Sequence, residues 1–330
     1  MELSKLIKIT FITVISISTC FFTSRFCYFI AEKYFFDKFF YKKSSEFGYC
    51  YSIKNGSCKD RYKYIELLNS DDLIEQINNT DDYKIVIFGD SYVLGMGVKD
   101  EERFANILEK KLNKIKPTKI ISFSDTSMSP INYLNWYEQI KTKINADLYV
   151  FALVNNDAYI RPDTHGAAID TDHIINNCQK SFPDKSPILD TSLLFFYKGL
   201  NSDNNSNLEK IAASDFENSW SNPINLCVLD NSLSKLPTSN AIYFITDNYF
   251  NNNDKYKIYQ NYLTKNDKYI VSSIEGKNLP KYSNYWTKNV YENFQVSKKE
   301  LHPNVLANKM YTDILFQEIT TNSKFNFKAN

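Results

Sequence analysis

Apolar positions from residue 83 onward fall into two alternating patterns. Five short runs are apolar on both faces of an extended chain, at 84–88, 119–123, 147–154, 241–246 and 269–272. Helical periodicity of three and four residues marks the segments 101–115, 131–144, 249–263 and 305–319. Strands that are buried on both faces are typical of parallel sheets. The pattern therefore predicts a doubly wound α/β domain, with a parallel five-stranded sheet between helices.

The alternation stops between the third and fourth predicted strands. Residues 158–239 carry a polar run at 201–207 and no clear strand. We interpret this stretch as an insertion, or cap, over one edge of the sheet. Our predicted organisation is an anchor at 1–31, a stalk or adapting layer at 32–80, the main domain at 81–320 and a tail at 321–330.

The N-terminus holds an uncharged, mostly apolar run at residues 9–24. As a helix it would cover about 24 Å, and continuing it to Ile30 would bring it to the roughly 30 Å of a hydrocarbon core. We therefore predict a transmembrane signal anchor. A cleaved signal peptide is the alternative, although no small-x-small pair follows the run. Cys20 also leaves open a lipoprotein attachment site.

The basic residues and the cysteines favour opposite orientations of the chain in the membrane. Basic residues are more frequent after the predicted helix than before it, which favours a cytoplasmic body. Four cysteines outside the helix, without metal-type spacing, suit disulfides in an oxidising compartment. They are Cys50, Cys58, Cys178 and Cys227.

We follow the cysteines and expect an extracytoplasmic domain, periplasmic or extracellular. The expected pairs are Cys50 with Cys58 and Cys178 with Cys227. Four buried free thiols are the alternative.

Charge excludes one class of partner. The chain has 39 basic and 38 acidic residues, for a net charge of +1. Such a chain has no electrostatic excess to bind a phosphate backbone, so nucleic acid is not an expected partner.

Glycine is scarce, with 8 residues in the chain, and three of these lie at 89, 95 and 97. They belong to the segment Phe88-Gly-Asp-Ser91, which ends the first predicted strand and is followed by Gly95-x-Gly97. Ligands bind at the carboxyl ends of strands in doubly wound sheets, so Ser91 is placed as a nucleophile. A simple capped turn is the alternative. The spacing fits neither a dinucleotide fingerprint nor a P-loop.

These residues resemble the first sequence block of the SGNH (GDSL) hydrolase superfamily. Val154-Asn-Asn156-Asp stands where that family has G-x-N-D, and His302-Pro-Asn304 matches its last block. The resemblance covers residues of about 83–157 and 240–318. It implies a flavodoxin-like sheet and ester chemistry without a cofactor or metal.

The resemblance also implies the roles of individual residues. Ser91 would be the nucleophile, His302 the base, and Asn156 an oxyanion donor together with the backbone N–H of Ser124. Ser124 stands where the family has a glycine.

One departure concerns the base. Lys299 occupies the position of the family's catalytic aspartate, and a lysine cannot orient an imidazole as a proton acceptor. Glu300 is a candidate orienter, and a backbone carbonyl that leaves a Ser91–His302 dyad is the alternative.

The remaining histidines, His165 and His173, alternate with carboxylates. This pattern suggests either a metal site or a polar loop, and we predict no metal.

The resulting hypothesis is a membrane-anchored serine hydrolase of O-acyl or O-acetyl esters, with an acylated small molecule or a cell-surface glycan as its substrate. Two alternatives remain. One is an O-acyltransferase, or an accessory protein that works with a membrane-bound O-acyltransferase. The other is a non-catalytic binding or assembly protein that keeps the fold.

Overall fold

The computed structural model describes residues 71–124, 128–155, 157–160, 171–188, 218–247, 254–287, 289–296 and 302–327. All of them belong to one compact unit, Lys59–Asn330. The predicted anchor and the cysteines at 50 and 58 lie outside the described residues. Within the described part of the chain, no helix has both the length and the apolar character needed to cross a bilayer.

The predicted parallel sheet is confirmed. Its strands are β1 (Tyr83–Gly89), β2 (Thr118–Ser124), β3 (Leu148–Leu153), β4 (Ala241–Ile245) and β5 (Ile270–Ser272). All neighbouring pairs are parallel, in the order β2-β1-β3-β4-β5. This is the flavodoxin-like order, in which the direction of winding reverses between β1 and β3.

Helices cover both faces of the sheet. Those of the described residues are α1 (Asp71–Asn78), α2 (Ser91–Leu94), α3 (Phe104–Leu112), α4 (Pro130–Ile140), α5 (Thr171–Ser181), α6 (Pro223–Lys235), α7 (Asp254–Lys265), α8 (Val290–Phe294) and α9 (Val305–Thr321). One face packs Val150 and Phe244 against α3 and α9. The opposite face packs its strand aromatics against α4, α6 and α7.

A row of aromatic rings crosses four neighbouring strands on the second face. Phe88 stacks on Phe123 and Phe151 at centroid distances of 5.5 and 4.9 Å, and Phe151 stacks on Tyr243 at 5.1 Å. The same residues are register partners in the ladders. Because a shift of one residue would turn these rings to the other face, the row fixes how the strand ends align.

The segment predicted as an insertion contributes a core layer. Helix α6 connects β3 to β4, and its Val228 and Leu229 are 2% and 3% exposed in the core of the second face. The predicted insertion, 158–239, therefore includes the crossover helix of the sheet. Helix α1 was also missed, and its Ile74 packs into the same core. Helix α1 is amphipathic but has only eight residues, whereas α6 has weak apolar periodicity and carries Asn and Ser on several turns.

The predicted Cys178–Cys227 disulfide is confirmed, and it joins α5 to α6 across 49 residues of chain. Peptide mapping without reductant should recover this pair. A cross-link of this span contributes about 2–4 kcal/mol to the free energy of unfolding. We expect the Cys178→Ser, Cys227→Ser double variant to lose stability by that amount. Equal melting temperatures for the oxidised and reduced protein would contradict this prediction.

Candidate active site

The turn after β1 places Ser91 at the carboxyl edge of the sheet. Helix α2 begins at Ser91, and the Asp90 carboxylate caps it by accepting the Tyr92 N–H at 2.8 Å. The helix folds back over the strand so closely that a Cβ on Gly89 would lie 2.1 Å from Val93 Cγ2. Glycine at position 89 is thus what allows Ser91 to stand directly above β1.

The structure brings Ser91 and His302 together from positions 211 residues apart in the chain. The His302 Nε2 atom lies 2.9 Å from Ser91 Oγ. Ser91 is 5% exposed, and the Tyr92 ring lies against the imidazole at a centroid distance of 5.8 Å. With its proton on Nδ1, the imidazole accepts the Ser91 O–H, which is the geometry of general-base activation.

His302 is held by the start of α9. The Val296 N–H donates to the His302 carbonyl at 2.9 Å. Asn304 caps α9 through its side chain and also donates from Nδ2 to the carbonyls of Asn293 and Gln295, at 2.9 and 3.0 Å. The Asn of the His-Pro-Asn motif therefore fixes the backbone that carries the imidazole.

The glycine at 97 is required by the same contact. Its φ is +90°, and a Cβ there would lie 2.5 Å from Val296 Cγ2 and 3.8 Å from His302 Cβ. A side chain at this position would push the His302 segment away from Ser91. The second glycine of the Gly95-x-Gly97 motif thus has a steric basis in the nucleophile–base contact.

Asp90 is a second neighbour of the nucleophile. Its Oδ2 atom lies 3.1 Å from Ser91 Oγ, and the side chain is fully buried. A serine hydroxyl has a single proton, so it can donate to Asp90 or to His302 but not to both at once. Activation of Ser91 therefore requires that His302 take the proton in place of Asp90.

The turn after β3 is fixed by side chains from elsewhere in the fold. The Trp220 indole N–H donates to the Asn155 carbonyl at 2.6 Å, and the Tyr259 hydroxyl donates to the Val154 carbonyl at 2.6 Å. The Val154 N–H donates to Asp157 Oδ2 at 3.0 Å. These bonds hold the backbone on either side of position 156.

A further bond reaches this turn from β4. The Asn155 N–H donates to Asp247 Oδ2 at 2.9 Å, and Asp247 is the second residue after β4. Asp247 thus joins the ends of β3 and β4 at the same edge that carries Ser91.

Three buried carboxylates meet below this edge. Asp90, Asp157 and Asp247 are 0%, 2% and 4% exposed. Burial raises the pKa of Asp157 well above its ordinary value, and the nearby Asp90 carboxylate raises it further. Burial also raises the pKa of Asp247 to about 7, with a smaller contribution from Asp90 in the same direction.

A small cavity of about 90 Å³ lies at the same edge of the sheet, where Asn155 and Asp247 line it. Tyr92 and Pro303, the residues that follow the predicted nucleophile and base in sequence, both line it. Tyr291, Phe294 and Gln295 complete its described wall.

The other predicted site residues are placed as follows. Ser124 ends β2 as the register partner of Gly89, and its buried Oγ has no hydrogen-bond partner among the described residues. Asn156, Lys299 and Glu300 lie outside the described residues, as does His165. His173 lies on α5, and its Nε2 atom is 2.9 Å from the side-chain nitrogen of Asn177. The roles assigned to all of these residues stay predictions.

The sequence analysis missed Asp247 and the aromatic wall of the cavity. A signal for Asp247 was present, because it directly follows a predicted strand, and the carboxyl ends of parallel strands form ligand sites. Tyr291 and Phe294 had no such signal, since they lie in a short helix without periodicity.

The chain was compared with known proteins. No family model and no curated protein matches it. Among solved structures, it is similar to TesA at 9% identity (TM-score 0.39), covering 72% of this chain and 98% of that one. It is similar to the psychrotrophic esterase EstA from Pseudoalteromonas sp. at 12% identity (TM-score 0.37), covering 72% and 97%. A third is a lipolytic protein of the G-D-S-L family from Desulfitobacterium hafniense DCB-2, at 10% identity (TM-score 0.35), covering 72% and 99%.

The raised pKa of Asp247 makes a prediction for stability. The folded protein binds this proton more tightly than the unfolded chain, whose ordinary pKa is 3.8. Its stabilising contribution is therefore complete below about pH 4 and is lost as the pH rises through about 7. Asp247→Asn removes the ionisation and keeps an oxygen to accept the Asn155 N–H. Between about pH 5 and pH 7, the variant should gain about 2 kcal/mol in free energy of unfolding relative to the parent.

Urea denaturation at both pH values measures this change. The exposed Asp184→Asn is the matched control, and it should show no such gain. An Asp247→Asn difference that does not change with pH would contradict the prediction.

Proposed function

We propose that the chain is a serine hydrolase of carboxylic esters, with Ser91 as the nucleophile and His302 as the base. The observation that carries the proposal is the 2.9 Å contact between His302 Nε2 and Ser91 Oγ. The contact lies beside the point where the winding of the sheet reverses, which is the usual ligand site of this topology. The motif resemblance described above supports the same assignment.

The reaction proceeds through an acyl-enzyme. His302 Nε2 takes the Ser91 proton while Oγ attacks the ester carbonyl, which produces a tetrahedral oxyanion. The proposed donors to that oxyanion are the backbone N–H groups of Ser91 and Ser124 and the Asn156 amide. The protonated His302 then donates its proton to the leaving alcohol, and the acyl group stays on Ser91.

The acyl-enzyme is released by a second attack. With His302 again as base, water attacks the acyl carbonyl. The carboxylic acid is released, and free Ser91 is regenerated. Transfer to a sugar hydroxyl would use the same intermediate with a different acceptor. We propose hydrolysis because it needs no second substrate.

We also propose that the domain works outside the cytoplasm, anchored by its N-terminal segment. The Cys178–Cys227 disulfide supports this placement, because disulfides persist mainly in oxidising compartments. An O-acylated glycan at the cell surface would be a substrate within reach of such an anchored domain.

The first prediction of the proposal concerns Ser91. The full-length protein should hydrolyse a short-chain acyl ester and should be labelled covalently by a fluorophosphonate. Ser91→Ala should lose the label and at least about 10³-fold in kcat, because the acyl-enzyme cannot form.

Ser234→Ala is the control for this experiment. Ser234 is exposed on α6, and its replacement should preserve both labelling and turnover. Unchanged labelling and turnover in folded Ser91→Ala would refute the hydrolase proposal.

The second prediction concerns how the imidazole is oriented. We propose a dyad in which a backbone carbonyl serves His302, since the Glu300 carboxylate would have to bend sharply to reach a ring two residues away. Glu300→Gln should therefore change kcat by less than about threefold. Lys299→Asp supplies the acid of a full triad, which is worth up to about 10⁴-fold, so it should raise kcat.

Steady-state kinetics of both variants test the dyad. A loss of about 100-fold in kcat for Glu300→Gln, with KM unchanged, would instead identify Glu300 as the orienting carboxylate.

A further inference from the structure

The cavity is lined on one side by the segments that carry His302. Phe294, Gln295 and Pro303 line it, and these residues belong to the paired segments that hold His302. In the proposed reaction, His302 donates a proton to the leaving oxygen, so the alcohol portion of the ester must lie beside this segment. The cavity is therefore in the position of an alcohol subsite.

The described wall of this cavity combines aromatic side chains with one carboxyl group. Tyr92, Tyr291 and Phe294 contribute the rings, and Asp247 contributes the carboxyl. Aromatic faces and carboxylates both attract cations, and the attraction grows where water is excluded.

The surroundings of Asp247 are more negative than positive. Asp90 and Asp157, after β1 and β3, face it as further buried carboxylates. Tyr259 on α7 and Tyr291 on α8 also face it. Lys255 on α7 acts in the opposite direction, but more weakly than Asp90.

We propose that this cavity binds the alcohol portion of the ester substrate, and that Asp247 selects alcohols carrying a positive charge, such as a quaternary or protonated amine. A cation there contacts the Asp247 carboxylate and the three rings, and it offsets the unfavourable burial of that carboxylate. An anionic substituent would meet repulsion from the ionised Asp247. The inference rests on the proposed function, since it specifies the substrate of the same site.

A pair of matched esters tests the selection. Acetylcholine and 3,3-dimethylbutyl acetate have the same acyl group and the same shape, and they differ by one positive charge. The ratio of their kcat/KM values should favour acetylcholine by about tenfold at about pH 8, where Asp247 is ionised. The ratio should approach one at about pH 5.5, where Asp247 is protonated.

Two variants test whether the preference for the charged ester depends on Asp247. Asp247→Asn should bring the ratio of the two kcat/KM values close to one at both pH values, whatever its effect on the absolute rates. The exposed Asp184→Asn should keep the parent ratio and its pH dependence. A tenfold preference that survives in Asp247→Asn, or a parent ratio of one or less at about pH 8, would overturn the inference while leaving the hydrolase proposal intact.

A binding measurement tests the site independently of turnover and of the stability of the variant. Tetramethylammonium chloride should raise the melting temperature of the parent protein at about pH 8 more than sodium chloride does at equal concentration. The difference should vanish at about pH 5.5 and in Asp247→Asn. If neither ester is hydrolysed, the proposed function fails, and this shift alone decides the cation site. Equal effects of the two salts at about pH 8 would overturn it.

Discussion

The stacked row of Phe123, Phe88, Phe151 and Tyr243 is the constraint on which the rest of the site depends. It fixes the register of four strands at the level just below their carboxyl ends. Asp90 and Ser91 come two and three residues after one ring of the row. The turn after β3 begins three residues after Phe151, and Asp247 lies four residues after Tyr243. The chemistry at this edge is assembled by apolar packing.

The polar groups above the row are costly to bury, and the fold compensates only some of them. Asp157 and Asp247 each accept a backbone N–H, yet the pKa of each stays raised because burial outweighs these bonds. Interiors rarely retain such groups unless something besides stability requires them. In the proposed cation site, Asp247 is the member of this set that lines the cavity.

The sequence predicts the sheet well because the composition of each strand indicates that both of its faces are buried. Residues 84–88 and 147–154 are apolar on both faces, and that property needs no knowledge of partners. Helix α6 escaped prediction because the polar residues Asn225 and Ser232 lie on its buried face and interrupt the apolar stripe that contains Val228 and Leu229. Asp247 had a local signal in its position after a predicted strand. Its contact with Asn155, which is 92 residues away, is encoded by no local pattern.

The disulfide joins α5 to α6, and the Cα atoms of Cys178 and Cys227 lie 5.8 Å apart. The chain between them therefore leaves and returns at fixed points on the outer layer of the sheet. Closing a longer loop between fixed points costs only about 0.6 kcal/mol for each doubling of its length. A change in the length of the chain that joins α5 to α6 would therefore cost little free energy, provided that Trp220 kept its bond to the Asn155 carbonyl after β3.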